Sequence, residues 1–261
     1  MSASIPAITA VVTLLAAPAA AQRQETGFLD RVITAAGRAY RYQVYVPAAY
    51  TASEAWPVIL FLHGAGERGS DGLLQTSVGL GPAIRRDRAR YPAIVVFPQA
   101  PADSQWVGVP AQTALAALRQ TLAEYRTDPD RIYVTGLSMG GHGVWYVAYR
   151  NPDLFAAAVP VCGWVSGALD RGFDAVVAAD SGAALPALAR RLRRLPIWIF
   201  HGEVDAVVPV AASREPAAAL RAVGSEVRYT ELLGLNHNSW DAAYASPEFV
   251  GWLFAQRRPR P

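Results

Sequence analysis

Five residues, Gly136-Leu137-Ser138-Met139-Gly140, constrain this chain more than any other stretch of it. The β-rich run RIYVT (131–135) leads directly into them, and the helical run GHGVWYVAYR (141–150) follows directly. A strand that becomes a helix within so few residues forces the serine between them into strained backbone geometry. Glycines on either side remove the Cβ atoms that would collide there. The hydroxyl of Ser138 is then held out over a sheet edge, with a helix N-terminus behind it that favours developing negative charge. Such a turn needs a buried strand before it and a covering helix after it, and the rest of the chain has to supply the remainder of the sheet.

It does so in regular alternation. Residues 28–33 and 40–46 are β-rich runs around Ala35, Ala36 and Gly37, which predicts an antiparallel hairpin. Residues 57–63 (PVILFLH) and 93–97 (AIVVF) are continuous apolar runs, the pattern of strands buried on both faces. Helical periodicity follows over 111–125. Strands are then predicted at 132–135, 156–161, 197–200 and 227–232, and helices at 138–149, 185–194, 214–223 and 247–257. This alternation predicts an α/β fold, a mostly parallel eight-stranded sheet with helices on both faces. The length of 261 residues and the 52% of hydrophobic residues suit one compact domain over residues 22–261. Residues 164–184 break the rhythm. They are long for a connection and carry apolar residues at Trp164, Val165, Leu169, Phe173, Val176 and Val177, which predicts a small cap or one wall of a pocket.

A serine hydroxyl is a weak nucleophile until a base takes its proton. Of the four histidines, His237 lies in a loop after the last strand and ahead of the final helix. The α/β-hydrolase fold places its base there, and the chain order serine, acid, histidine is that fold's order. His142 falls on the helix after Ser138 and is expected to pack there, and His201 is expected to end a strand as a turn residue. The acid that orients the base is expected in His201-Gly202-Glu203-Val204-Asp205. Spacing alone does not separate Glu203 from Asp205; Asp205 precedes the restart of the chain at Val207-Val208-Pro209 and is preferred. The oxyanion of acyl transfer needs preplaced N–H donors. Met139 supplies one, and the loop His63-Gly64-Ala65-Gly66 the other, from Ala65 first and Gly66 next. His63 is expected to order that loop. Trp106, Trp164 and Trp240 are expected to line the substrate site.

Composition narrows the partners. All basic residues are arginines, and they are scattered, with a formal net charge of +3 and no nucleic-acid motif, so nucleic acid is not an expected partner. The single cysteine, Cys162, rules out an intrachain disulfide and reads as a buried structural thiol. No H-E-x-x-H, C-x-x-C, G-x-G-x-x-G or phosphate-loop pattern occurs, so chemistry without metal or cofactor is expected. Residues 7–17 are almost wholly apolar and are followed by Ala19-Ala20-Ala21, a signal-peptidase pattern with Gln22 as first mature residue. Residues 1–21 therefore read as a signal peptide of a secreted or periplasmic protein. That run is too short to span a bilayer, and no stable membrane insertion is expected after its removal.

With these residues placed, the chain resembles a bacterial secreted α/β-hydrolase esterase family, whose members are described as predicted peptidases or phospholipase/carboxylesterase-like proteins and are related to feruloyl esterases and polyhydroxybutyrate depolymerases. The resemblance rests on LHGAGERGSD (62–71), DPDRIYVTGLSMGGHGVW (128–145), NPDLFAAAVPVCG (151–163), PIWIFHGEVDAVVPV (196–210) and GLNHNSWDAAY (234–244). It implies the triad Ser138, Asp205 and His237, and favours Asp205 over Glu203. It also implies a serine carboxylesterase acting on small-molecule or polymer-derived esters of short acyl or aromatic acids, with a serine peptidase or polyester depolymerase of the same fold as the alternative. Residues 164–184 are longer than the family pattern.

Overall fold

A computed structural model describes residues 24–35, 37–167, 169, 172–173 and 184–258. Residues 1–21, read above as a signal peptide, most of 164–184, including Val176 and Val177, and the last three residues lie outside them. Eight strands form one sheet: β1 Gly27–Ala35, β2 Arg38–Val46, β3 Trp56–Leu62, β4 Ile94–Pro98, β5 Thr127–Leu137, β6 Ala157–Val161, β7 Ile197–Gly202 and β8 Val227–Leu232, in the order β1-β2-β4-β3-β5-β6-β7-β8. The β1–β2 and β2–β4 pairs are antiparallel, and β3 to β8 run parallel with β4. This is the α/β-hydrolase fold, with the eight strands expected from the apolar runs.

Every residue of β3 and β4 is buried, and the period of two sorts their side chains into two layers. Val58, Leu60 and Leu62 face one layer, where they meet α2 (Gly108–Glu124) and α3 (Met139–Arg150). Two further helices, Ala184–Leu192 (α4) and Ala211–Ala222 (α5), join that layer. Ile59 and Phe61 face the other, built on α1 (Leu80–Arg86), α6 (Trp240–Ala245) and α7 (Pro247–Ala255). Both faces are thus covered by apolar packing, the condition under which a parallel sheet is stable.

Two elements depart from the periodicity. Helix α1 was not expected: its first turn carries Leu80, Gly81 and Pro82, and glycine and proline are poor helix signals although proline is tolerated in a first turn. The helix expected over 247–257 is α7, which ends at Ala255, and a short helix without a sequence signal, α6, precedes it. The side chain of Ser246 caps α7 by accepting the Phe249 N–H at 3.2 Å, and Pro247 takes the first helical position, so the chain restarts there.

Candidate active site

Ser138 joins β5 to α3 with φ +52° and ψ −118°, a left-handed strain that a side chain rarely adopts. Its N–H donates to Val161 O at 2.9 Å, and its carbonyl accepts the His142 N–H at 3.0 Å, which fixes the turn between β6 and the first turn of α3. The helix start lies hard against the sheet. A Cβ on Gly140 would sit 1.8 Å from Leu62 O, and one on Gly136 would sit 2.6 Å from both Leu62 O and Gly140 O. Leu62 ends β3 and Gly140 lies in the first turn of α3, so neither carbonyl can move without disturbing its element. Gly140→Ala is therefore expected to lower stability by about 1–3 kcal/mol or more, read as a lower denaturant midpoint. A midpoint equal to that of wild type would mean that the turn is looser than this geometry.

Three loops at the same sheet edge bring the expected groups together. His237 Nε2 lies 2.9 Å from Ser138 Oγ, and His237 Nδ1 lies 2.7 Å from Asp205 Oδ2. Asp205 Oδ1 accepts the N–H groups of Val207 (2.8 Å) and Val208 (2.9 Å). Burial alone would raise the Asp205 carboxyl; the hydrogen bond from His237 and the two backbone donors outweigh it and hold the group below the usual carboxylate range. Glu203, the rival acid, points elsewhere and accepts the Gly234 N–H at 2.9 Å. Asn236 ties the two loops, its Oδ1 accepting from Ala206 N at 2.9 Å and His237 N at 2.7 Å.

The loop after β3 is braced as expected of His63. This ring is wholly buried, donates from Nδ1 to Gly64 O at 2.6 Å, and accepts the Ala100 N–H at Nε2 at 3.0 Å. Burial pushes it down to about 4, so it stays neutral. A Cβ on Gly64 would lie 2.9 Å from the Leu137 side chain, so this loop runs beside the serine turn. Ala65 and Gly66 follow it, exposed, in a short 3-10 turn over Ala65–Glu67. Met139 opens α3, whose first N–H groups have no intrahelical partner.

The three tryptophans divide. Trp240 meets the His237 ring edge-on at 5.4 Å and is half-buried beside the catalytic-type cluster. Trp106 is 1% exposed and donates to His63 O at 3.0 Å; it braces the loop from below and does not line the site. Trp164 is also buried and stacks on His142 at 4.8 Å, and Phe173 packs edge-on against His142, Tyr146 and Tyr149 of α3. Trp164 and Phe173 therefore clad α3, and Val165 is buried in the same layer, contrary to a pocket-lining role; Leu169 is exposed. Both corrections have one physical source: burial of a loop tryptophan depends on what the loop folds back onto. Cys162 is buried as expected, and burial pushes its thiol up to about 12. Its sulfur and the donor atoms of Asp205 and His237 lie within 4.8 Å of one another, but a thiol kept protonated is a poor metal ligand. His201, expected only at a turn, lies with Nε2 3.1 Å from Asp205 Oδ2. The spacing of His201 and Asp205, four residues apart at a strand end, was the available signal.

Comparison with known proteins gives a family and a fold. Residues 33–222, which include Ser138 and Asp205 and stop short of His237, match the model of a family described as "Putative esterase". A crystal structure of a thermostable esterase superposes with a TM-score of 0.76 at 34% identity, covering 88% of this chain and 63% of that one. A ferulic acid esterase structure superposes at 0.68 with 18% identity, covering 87% and 98%, a likeness of fold. Esterase LipQ of Mycobacterium tuberculosis is 27% identical over 199 residues, and a protein of Arthroderma benhamiae named only as an uncharacterized secreted protein is 27% identical over 223. The chain spans 44% and 23% of the lengths of these two relatives.

Proposed function

Since the chain belongs to this esterase family, we propose that it is a serine carboxylesterase that hydrolyses short acyl or aromatic-acid esters through an acyl-enzyme intermediate. The observation that carries the reading is the unbroken line from Ser138 Oγ through His237 to Asp205, with spacings of 2.9 and 2.7 Å, at a strained strand-to-helix turn.

In this reading His237 Nε2 takes the Ser138 proton as Oγ attacks the ester carbonyl carbon. The carbonyl oxygen becomes an oxyanion and is received by the Met139 N–H and, across the turn, by Ala65 N–H with Gly66 N–H next to it. Collapse breaks the carbon–oxygen bond, and His237 returns the proton to the departing alcohol. A water molecule, deprotonated by the same imidazole, then attacks the acyl carbon and releases the acid and Ser138. Asp205 remains ionised throughout and stabilises the imidazolium, a role its depressed carboxyl supports. Trp240, beside His237, forms part of the substrate mouth.

Residues 22–261 form the catalytic domain, and residues 1–21 direct it out of the cytoplasm. Support comes from the leader sequence and from the word secreted in one relative's name. Among the described residues no helix is long and apolar enough to cross a membrane.

A side-by-side assay of p-nitrophenyl esters, feruloyl esters and peptide amides tests the activity. Ester turnover exceeding amide turnover by a factor of a hundred or more ("~100-fold", about 2.7 kcal/mol of barrier) is expected. Comparable or faster amide cleavage would make the protein a peptidase of the same fold, and no turnover of any ester would overturn the reading.

A further inference from the structure

The Asp205 carboxylate receives two imidazoles. His201, near the end of β7, is wholly buried, and its Nε2 lies 3.1 Å from Asp205 Oδ2, the same oxygen that meets His237 Nδ1 at 2.7 Å. The ring is fixed at both ends, with Nδ1 2.7 Å from Ser213 Oγ on α5 and Nε2 2.9 Å from Val208 O. A carbonyl oxygen only accepts, so Nε2 carries the proton, and Nδ1 accepts from the Ser213 hydroxyl. The Nε2–H is therefore directed at Val208 O, and the same nitrogen faces Asp205 Oδ2 at 3.1 Å. Burial lowers the affinity of this ring for a second proton, against the opposing pull of Val208 O and Asp205.

Asp205 consequently has three hydrogen-bond donors, Val207 N and Val208 N on Oδ1 and His237 on Oδ2, and a fourth polar contact from His201 Nε2 to Oδ2. Four is the number of lone-pair sites on a carboxylate. Its side chain has no exposed surface, so no water substitutes for a lost donor. Other charged or titratable groups face the cluster. Glu231, opposite His201 across the β7–β8 pair, is bound to Arg214 at 2.5 Å and held down to about 2. The Cys162 thiol, on the β6 side, is held protonated. Neither changes charge near neutrality.

We propose that His201 is a positioning residue of the triad: a neutral imidazole, oriented by Ser213, that locks Asp205 Oδ2 in line with His237 and moderates how strongly that carboxylate holds the imidazolium. The proposal rests on the esterase reading above. Each donor on Oδ2 draws charge from it. Loss of the His201 Nε2–H leaves Oδ2 held by His237 alone, which loosens the alignment of the pair and lowers turnover. It also leaves a more basic carboxylate, which stabilises protonated His237 and moves the acid limb of the kcat/KM profile to higher pH.

Three variants separate this role from a packing role. The amide nitrogen of His201→Gln can occupy the Nε2 position and still donate to Asp205; that of His201→Asn matches Nδ1 and reaches only Ser213; His201→Leu has no donor. With a p-nitrophenyl ester, His201→Leu and His201→Asn are expected to lose about ten- to a hundredfold in kcat, by analogy with the outer partners that orient imidazole and carboxylate ligands at metal sites. Both are expected to show the acid limb at higher pH, and His201→Gln to recover rate and limb together. If His201→Leu does not fold, the Gln and Asn pair, polar and one methylene apart, carries the test. Wild-type acid limbs in the Gln and Asn variants, with rates within twofold of each other, overturn the proposal even where melting temperatures fall. Fluorophosphonate labelling of wild type runs in parallel: absence of label on Ser138 identifies failure of the esterase reading itself.

Discussion

Ser138→Ala is expected to lower kcat for ester hydrolysis by about 10⁴- to 10⁶-fold while leaving the melting temperature near that of wild type. The size follows from the way the triad works as a unit. Without Oγ there is no nucleophile for His237 to activate, and what remains is the contribution of the oxyanion donors and of binding. The small effect on stability follows from the local geometry. Alanine keeps the Cβ, so the cost of φ +52° is present in both proteins. The group left behind, His237 Nε2, belongs to a side chain with 17% exposure, so water can replace the lost partner. A folded Ser138→Ala protein with near wild-type turnover would remove Ser138 from the mechanism, and so would a fluorophosphonate adduct mapped to another serine.

What could be read from the sequence was local or fixed by chain order. The serine turn is five residues whose context names the adjoining elements, and the close approach of Gly140 to Leu62 O explains why no larger residue stands there. The strands were legible because burial on both faces leaves an uninterrupted apolar run in β3 and β4. What failed to be legible depends on contacts distant in sequence. Trp106 is recognised as a brace only once its indole is seen on His63 O, 43 residues away. For Trp164 and Phe173, apolarity alone does not distinguish a wall facing substrate from cladding on α3. His201 is an intermediate case: its neighbour Asp205 is only four residues on, but the contact exists because the chain turns back after β7 and α5 brings Ser213 to the far side of the ring. The choice between Glu203 and Asp205, two residues apart, is likewise made by that turn, which sends one carboxylate to His237 and the other to Gly234 N.

Those two carboxylates give the second large effect. Asp205→Asn is expected to cost about 10³- to 10⁴-fold in kcat, and Glu203→Gln less than about fivefold, the scale of an exposed hydrogen bond. In the asparagine variant the side-chain oxygen stays with the N–H groups of Val207 and Val208, which can only donate. The amide nitrogen then takes the place of Oδ2 and presents hydrogens to His237 Nδ1 and His201 Nε2. His237 must accept at Nδ1, so its proton moves to Nε2, and that nitrogen can no longer take the proton of Ser138. His201 meets a donor where it had an acceptor, a conflict in a buried cluster that costs about 1–3 kcal/mol of stability. This stability loss depends on pH in a defined direction. The Asp205 carboxyl is held below its ordinary value in the folded protein, so its contribution is fully present above the unfolded carboxyl range of about 3.9 and is lost as pH falls toward the folded value. Denaturant midpoints of wild type and Asp205→Asn are therefore expected to differ at neutral pH and to converge on acidification below that range. A larger rate loss in Glu203→Gln than in Asp205→Asn would transfer the triad acid to Glu203, and midpoints that diverge on acidification would contradict the ionised carboxylate described for Asp205.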